Sequence, residues 1–473
     1  MLNVQLKRNF KFCLLSIACY QLFSSCSIQQ KISKSAQQVI KDSSLLTAHV
    51  GISIYEPSSG KYWFNYQGDK YFVPASNTKL PTCYAAMKYL GDSLVGLRYR
   101  YNKSPFGNYT IIPTGDPTFL HSDFKKHNVL EFFEKNKTEG FSFDQDNWFE
   151  LPWGNGWSWN DYDQGYMAER SSFPIYGNVV KIKRVGNFSY KYNIEDSSNI
   201  IVAGLDLIPQ FFKDKINIYS QNPSKNSFAF TREINENLLY IIPSKNIFNS
   251  TEVPFITNGL FTALKILDDT LHIKLTSTGT HNPLFDDEDS LPLIHKNDYL
   301  TIHSQPTDSL LKPMMHRSDN FFAEQSLLMV SNERLGVMND EKIIDTLLKT
   351  DFKDLPQKPR WVDGSGLSRY NLFTPQDFVF ILNKMKNEFG MDRIKVILPT
   401  GGTGTISNYY KADSNFIFGK TGTLSGVVAF SGFLYTKKGK LLIFSTLVNN
   451  HQASSTAVRK AVEKFIEGIR NTY

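Results

Sequence analysis

The chain has 473 residues, a formal net charge of +7 and four cysteines. A charge this mild, dispersed over so long a polypeptide, argues against a nucleic-acid footprint. Cys13 and Cys19 lie in an N-terminal leader and Cys26 is spent on lipid if its surroundings are a lipobox, so only Cys83 remains, no intramolecular disulfide is expected and the core must hold the mature chain.

Residues 1–25 read as an export signal. Lys7, Arg8 and Lys11 form a positive start, and Phe12 to Phe23 is apolar but too short to span a bilayer. Phe23-Ser24-Ser25-Cys26 resembles a loose bacterial lipobox, which makes Cys26 the lipid-modified first residue of the mature protein and anchors it by lipid alone. Phe23 stands where leucine is usual, so ordinary signal cleavage stays open as the alternative. Removing residues 1–25 deletes three basic and no acidic side chains, which takes the charge from +7 to +4. The expected place is the periplasmic side of an envelope membrane. Residues 26–48 are a tether leading into the first folded domain.

Residues 49–66 alternate at period two around Pro57-Ser58-Ser59-Gly60, which predicts two strands and a turn. After Pro74-Ala75-Ser76, the residues Leu80, Tyr84, Met87 and Leu90 recur at helical spacing until Gly91. Cys83 falls on that helix and is expected to be buried packing. From Gly115-Asp116-Pro117 to about residue 300 aromatics, Asn and Asp become frequent and helical periodicity is rare. Short alternating runs such as Val179–Lys183 and Ile216–Tyr219 point to a β-rich insertion, placed at 121–299. Asp286-Asp287-Glu288-Asp289 reads as a solvated loop, and His281, His295 and His303 lack metal-ligand spacing, so neither metal nor cofactor is expected. A helix is predicted after Ser318, a strand over 415–421, a hairpin from Val427–Leu434 to Leu441–Val448, and a closing helix with Val458, Val462, Phe465, Ile466 and Ile469 on one side. Strands at both ends with helices between imply an α+β domain over 49–120 and 300–473 whose sheet draws on both termini.

Three short motifs carry the chemistry: Ser76-Asn77-Thr78-Lys79, Ser318-Asp319-Asn320 and Lys420-Thr421-Gly422. Ser309-Leu310-Leu311-Lys312 also satisfies S-x-x-K, without catalytic surroundings, so order and context decide. With Ser76 in the first turn of a helix, Lys79 falls on the same face, about 5–6 Å away between Cβ atoms. Free backbone N–H groups there point toward developing negative charge. A serine hydroxyl needs a base, and a lysine serves only if its pKa is depressed by burial or by a cationic neighbour, for which Lys420 is the candidate. Ser318 is expected to shuttle a proton to the leaving amine, with a helix cap as its bland alternative. Asn320 is expected to hold Lys79 and a substrate carbonyl, while Asp319 faces away. Lys420 and Thr421 would bind a terminal carboxylate from an edge strand. Gly422 would allow close backbone approach, and the N–H groups of Thr423 and Ser76 would form an oxyanion hole.

On these motifs the chain resembles the D-alanyl-D-alanine carboxypeptidase/endopeptidase family, the low-molecular-mass class C penicillin-binding proteins. FVPASNTKL, HRSDNFFAEQ and FGKTGTLSG carry the resemblance. Gly115-Asp116-Pro117-Thr118, Gly156–Asp161, Trp361–Arg369 and Leu398–Thr405 support it. It implies a serine penicillin-binding/β-lactamase-like transpeptidase fold, an antiparallel sheet flanked by helices with β-rich inserted domains. It also implies an acyl-enzyme on Ser76 formed from peptidoglycan stem peptides or β-lactams. Asp363 and Ser365 would lie in a glycine-rich loop that shapes the substrate site. Phe173-Pro174-Ile175-Tyr176-Gly177-Asn178 fits the family text only partly, which weakens inference about the insertion's contact with substrate. A serine β-lactamase or esterase shares the three motifs, but the large insertion and the Gly-Asp-Pro and Trp-rich segments argue against it. A non-catalytic wall-binding lipoprotein is disfavoured because every polar catalytic residue is present.

Overall fold

The computed structural model describes residues 32–473 apart from 33, 38, 39, 105, 106, 193–199, 219–227, 243, 245–247 and 279–297. The leader with Cys26, the Asp286–Asp289 cluster, His281 and His295 lie outside the described residues. Two compact units divide the chain. One comprises the residues up to Asn77 with Leu355–Arg360 and Asn371–Tyr473; the other comprises Thr78–Asp354 and Trp361–Tyr370.

The first unit is built on a five-stranded antiparallel sheet. Its order is Ile417–Leu424, Val427–Tyr435, Leu441–Asn449, His49–Glu56, Lys61–Tyr66. The two ends of the chain meet in its middle, where Ile52 pairs with Thr446 and Ile54 with Phe444. The Ser455–Thr472 helix starts at Ser454, whose side chain caps the Ala457 N–H. It buries Val458, Val462, Phe465, Ile466 and Ile469 in one core with Ile52, Ile54, Phe430 and Phe444. Each large apolar side chain removed from water there contributes about 1.5–3 kcal/mol. The motif strand Ile417–Leu424 lies at the sheet edge.

The second unit contains the Lys79–Tyr89, Thr307–His316, Asn320–Leu335 and Asp340–Lys349 helices. It also holds a mixed five-stranded sheet and two three-stranded sheets. The Lys79–Tyr89 helix differs from its expected single apolar face: every residue from Lys79 to Met87 is buried. A helix enclosed on several sides has no solvent face to keep polar. Gly91, at φ +70°, follows its end. Within 121–299 the strand Val179–Tyr192 contains the first alternating run and Ile216–Ile218 the first three residues of the second, whose Tyr219 lies outside the described residues. Two helices, Asn128–Lys135 and Phe261–Leu271, were not legible there, because 8 and 11 residues give few turns over which a period can repeat. The frequent aromatics form a core in which Phe119, Phe133, Phe141, Phe143 and Phe173 pack together. The S-x-x-K look-alike at Ser309 lies within the Thr307–His316 helix, where Leu310 and Leu311 are buried.

Gly432 faces Gly419 across the edge pairing, and a Cβ on Gly432 would stand 2.0 Å from the Phe418 carbonyl oxygen. Gly432→Ala is therefore expected to destabilise the protein by about 1–3 kcal/mol, read as a lower denaturant midpoint, because the clash is with backbone.

Candidate active site

The three motifs are distributed over both units, and the chain passes from one to the other between Asn77 and Thr78. That boundary falls inside one helical segment: a 3-10 turn, Ala75–Thr78, runs directly into the Lys79–Tyr89 helix. Lys79 thus stands at the first position of the α-helix, three residues beyond Ser76.

In the first unit several contacts pin the segment that carries Ser76. Asn449 brackets Val73, accepting from its N–H at 2.7 Å and donating to its carbonyl at 3.0 Å. The Asn77 amide donates to Ser431 Oγ at 2.7 Å, and that hydroxyl donates to Ser445 Oγ at 2.8 Å, both in the middle of the sheet. Ala75 is held at φ +47°, a left-handed conformation that costs about 1–3 kcal/mol in a non-glycine residue and persists only where surrounding structure enforces it. Gly422 passes close by: a Cβ there would lie 2.6 Å from Pro74 O and 2.9 Å from Ser76 N. The edge strand therefore runs against the backbone of Ser76. Lys420 is buried, with its Nζ 2.7 Å from Thr421 O. The Thr421 hydroxyl donates to Thr405 Oγ1 at 2.7 Å, and Thr423 Oγ1 accepts from Arg459 at 2.5 Å.

In the second unit Lys79 is fully buried and donates to Asn320 Oδ1 at 2.6 Å and to the Ser365 carbonyl at 2.7 Å. Burial pulls its pKa down to about 8, against the opposing pull of the Asp363, Glu324 and Asp319 carboxylates. The charges acting on Lys79 from its own unit are thus anionic, and burial, one of the two expected causes, carries the depression. Asn320 has its amide nitrogen 3.0 Å from the Tyr166 carbonyl, so one side chain ties the lysine to the insertion. Ser318 has φ +63°, and the helix cap next to it is Asp319, whose carboxylate accepts from Phe322 N at 3.0 Å. The capping role open to Ser318 thus belongs to Asp319, leaving Ser318 in a strained conformation of the kind that clusters at active sites.

Asp363 organises the loop after it. Its carboxylate accepts from Gly366 N at 2.8 Å, Ser368 N at 2.7 Å and Trp157 Nε1 at 3.0 Å. Ser365 meets Lys79 through its carbonyl, while its hydroxyl accepts from Leu367 N at 3.3 Å. Thr82, one turn after Lys79, donates to Gly364 O at 2.7 Å, so one helix face grips this loop twice. Two participants lie outside the residues that sequence reasoning singled out. Arg459 is separated from the Lys-Thr-Gly motif in the chain and had no signal of its own. Glu324 had one: it is four residues past Asn320 and therefore on the same helical face.

Comparison with known proteins gives the family and the fold. The family model for the D-Ala-D-Ala carboxypeptidase 3 (S13) family matches residues 32–471. A D-alanyl-D-alanine carboxypeptidase DacB of Haemophilus influenzae is 23% identical over 460 residues, covering 86% of this chain and 87% of the relative. A penicillin-sensitive carboxypeptidase A of Dictyostelium discoideum is 22% identical over 464 residues, covering 87% and 85%. The crystal structure of H. influenzae penicillin-binding protein 4 superposes with a TM-score of 0.68 at 19% identity, covering 93% of this chain and 98% of that one, which establishes the shared fold. A serine-peptidase architecture of the penicillin-binding class is thus defined by fold and motifs together. The chain belongs to the D-Ala-D-Ala carboxypeptidase 3 (S13) family and is a serine-type D-Ala-D-Ala carboxypeptidase.

Gly422→Ala is expected to lower D-Ala-D-Ala carboxypeptidase activity at least tenfold with its circular dichroism unchanged. The added methyl displaces the edge strand from the Ser76 backbone, and a misplacement near 1 Å costs on the order of a hundredfold.

Proposed function

We propose that this carboxypeptidase hydrolyses the D-Ala-D-Ala bond of peptidoglycan stem peptides, and D-Ala cross-links as well, through an acyl-enzyme on Ser76. The observation that carries the reading is the state of Lys79. A neutral amine has two N–H donors and one lone pair; Asn320 Oδ1 and Ser365 O take the donors. Deprotonated, the amine carries a lone pair that can accept the Ser76 proton, and a pKa near 8 makes a usable fraction of the neutral form at physiological pH. In this mechanism Ser76 Oγ attacks the carbonyl of the penultimate D-alanine while Lys79 takes its proton. The N–H groups of Ser76 and Thr423 receive the oxyanion, and Ser318 passes a proton to the departing amine. Water then cleaves the ester. Lys420 and Thr421 recognise the terminal carboxylate. The same hydroxyl opens a β-lactam ring, in keeping with the complex of the H. influenzae protein with a β-lactam.

The two substrates differ only in the group attached beyond the scissile amide, so one serine serves both. Purified protein should release D-alanine from a D-Ala-D-Ala pentapeptide or monomer from a cross-linked dimer, and Ser76→Ala should release neither. Equal turnover by the two proteins would remove Ser76 from its role. Because only neutral Lys79 acts as base, the acylation rate should rise about tenfold per pH unit below 8 and flatten above it. A rate independent of pH between 5.5 and 8 would exclude Lys79 as the titrating base.

Export and lipidation belong to the same reading, resting on the charged start, the short apolar stretch and Cys26. With an acyl chain on Cys26 the enzyme faces peptidoglycan from an envelope membrane, with residues 121–299 as an insertion in the catalytic domain. Metabolic labelling with a fatty-acid analogue should mark the wild type and leave Cys26→Ala unlabelled; equal labelling would refute the anchor.

A further inference from the structure

Glu324 is fully buried beside Lys79 and no step of the mechanism uses it. Its two carboxyl oxygens differ. Oε1 accepts from Ser365 N at 2.7 Å, whereas Oε2 is buried with no hydrogen-bond partner. The Arg170 guanidinium is 3.8 Å from Oε2, beyond hydrogen-bond reach, and is itself engaged by Glu150 at 2.7 Å and Asp340 at 2.5 Å. Arg170 is thus already balanced by two other carboxylates.

The neighbouring acids sort by what they accept. Both oxygens of Asp363 take N–H donors, the pattern of an ionised carboxylate. Glu324 offers one donor-facing oxygen and one bare oxygen. An ionised, half-paired carboxylate in that setting costs several kcal/mol, more than the neutral acid does. The charged groups facing it are Lys79, Asp363 from the following loop, Arg170 from the insertion and Asp340 from the adjacent helix, with Glu150 behind Arg170. Burial, and then the Asp363 charge, push its pKa up to about 8.

We propose that Glu324, uncharged at neutral pH, is the positioning residue for the general base: it fixes the Ser365 peptide that receives the Lys79 amine without setting an anion beside that amine. Ser365 is the link, because its N–H is held by Glu324 and its carbonyl holds Lys79. An ionised Glu324 would favour the ammonium over the amine. The proton on Glu324 therefore keeps Lys79 available as base, and the two groups titrate as a coupled pair. The proposal rests on Lys79 being the base of the acylation step.

The test combines acylation by a fluorescent penicillin with titration of the Lys79 Nζ resonance by NMR in the full-length mature protein. Glu324→Gln keeps an acceptor for Ser365 N and can carry no charge. It should acylate within about threefold of wild type at pH 7, with its Lys79 midpoint lower and its curve narrowed to a single proton. Glu324→Ala, lacking the acceptor, should acylate at least tenfold more slowly with unchanged circular dichroism. The proposal is overturned if Glu324→Gln titrates like wild type, which would make Glu324 a mere loop anchor. It is equally overturned if folded Glu324→Gln loses more than tenfold at pH 7, which would mean that a charged carboxylate is required. A wild type in which Lys79 titrates as expected but Ser76 is never acylated would overturn the acyl-enzyme reading and leave the coupling standing.

Discussion

A lysine amine removed from water is the constraint on which the rest of the site depends. Moving an ammonium out of solvent is costly, and this lowers the Lys79 pKa to about 8, so that a fraction of the amine is neutral near neutral pH. The same burial creates a demand: the amine must find acceptors inside the protein. Asn320 and the Ser365 carbonyl meet that demand, and each is fixed in turn. The lysine is therefore less a single residue than the centre of a hydrogen-bonded frame running from one helix to the next helix and to the Asp363–Gly366 loop.

The strain in the structure is distributed accordingly. Ala75 and Ser318 both adopt left-handed backbone conformations, one just before the nucleophile and the other opening the second motif. Neither sits in a segment left to itself. Ala75 lies between the bracketing of Val73 by Asn449 and the anchoring of Asn77 to Ser431, and Ser318 directly precedes the Asp319 cap. Local conformations of this kind need such over-determination to survive. Glycine supplies the complementary device, since the missing side chain at Gly422 lets the edge strand lie against the Ser76 backbone.

The aromatic-rich stretch from 121 to 299 contributes more than bulk. Trp157 reaches Asp363, the Tyr166 carbonyl meets Asn320, and Arg170 gathers Glu150 and Asp340 beside Glu324. Through these contacts it supports residues whose motifs lie far along the chain. Its aromatic texture has a plain physical source in the packed phenylalanines around Phe133 and Phe173, which form a hydrophobic core.

Periodicity and short motifs were enough to read the terminal sheet, the closing helix and the family. Those features rest on local rules: alternation for strands, three-to-four-residue recurrence for an amphipathic helix, and fixed spacing between Ser76 and Lys79. The two short helices of the insertion and the all-round burial of the Lys79–Tyr89 helix escaped, because neither brevity nor enclosure leaves a periodic trace. The electrostatics escaped more completely. Burial was one of the two expected causes of the lowered lysine pKa and it is the one that acts; the nearby acids Asp363, Glu324 and Asp319, which pull the other way when ionised, left no trace in the spacing. Sequence alone thus determined the family and named the candidate groups; tertiary packing set the lowered pKa of Lys79, because burial and the convergence of Asp363, Glu324 and Asp319 on it depend on distances in space that spacing along the chain does not encode.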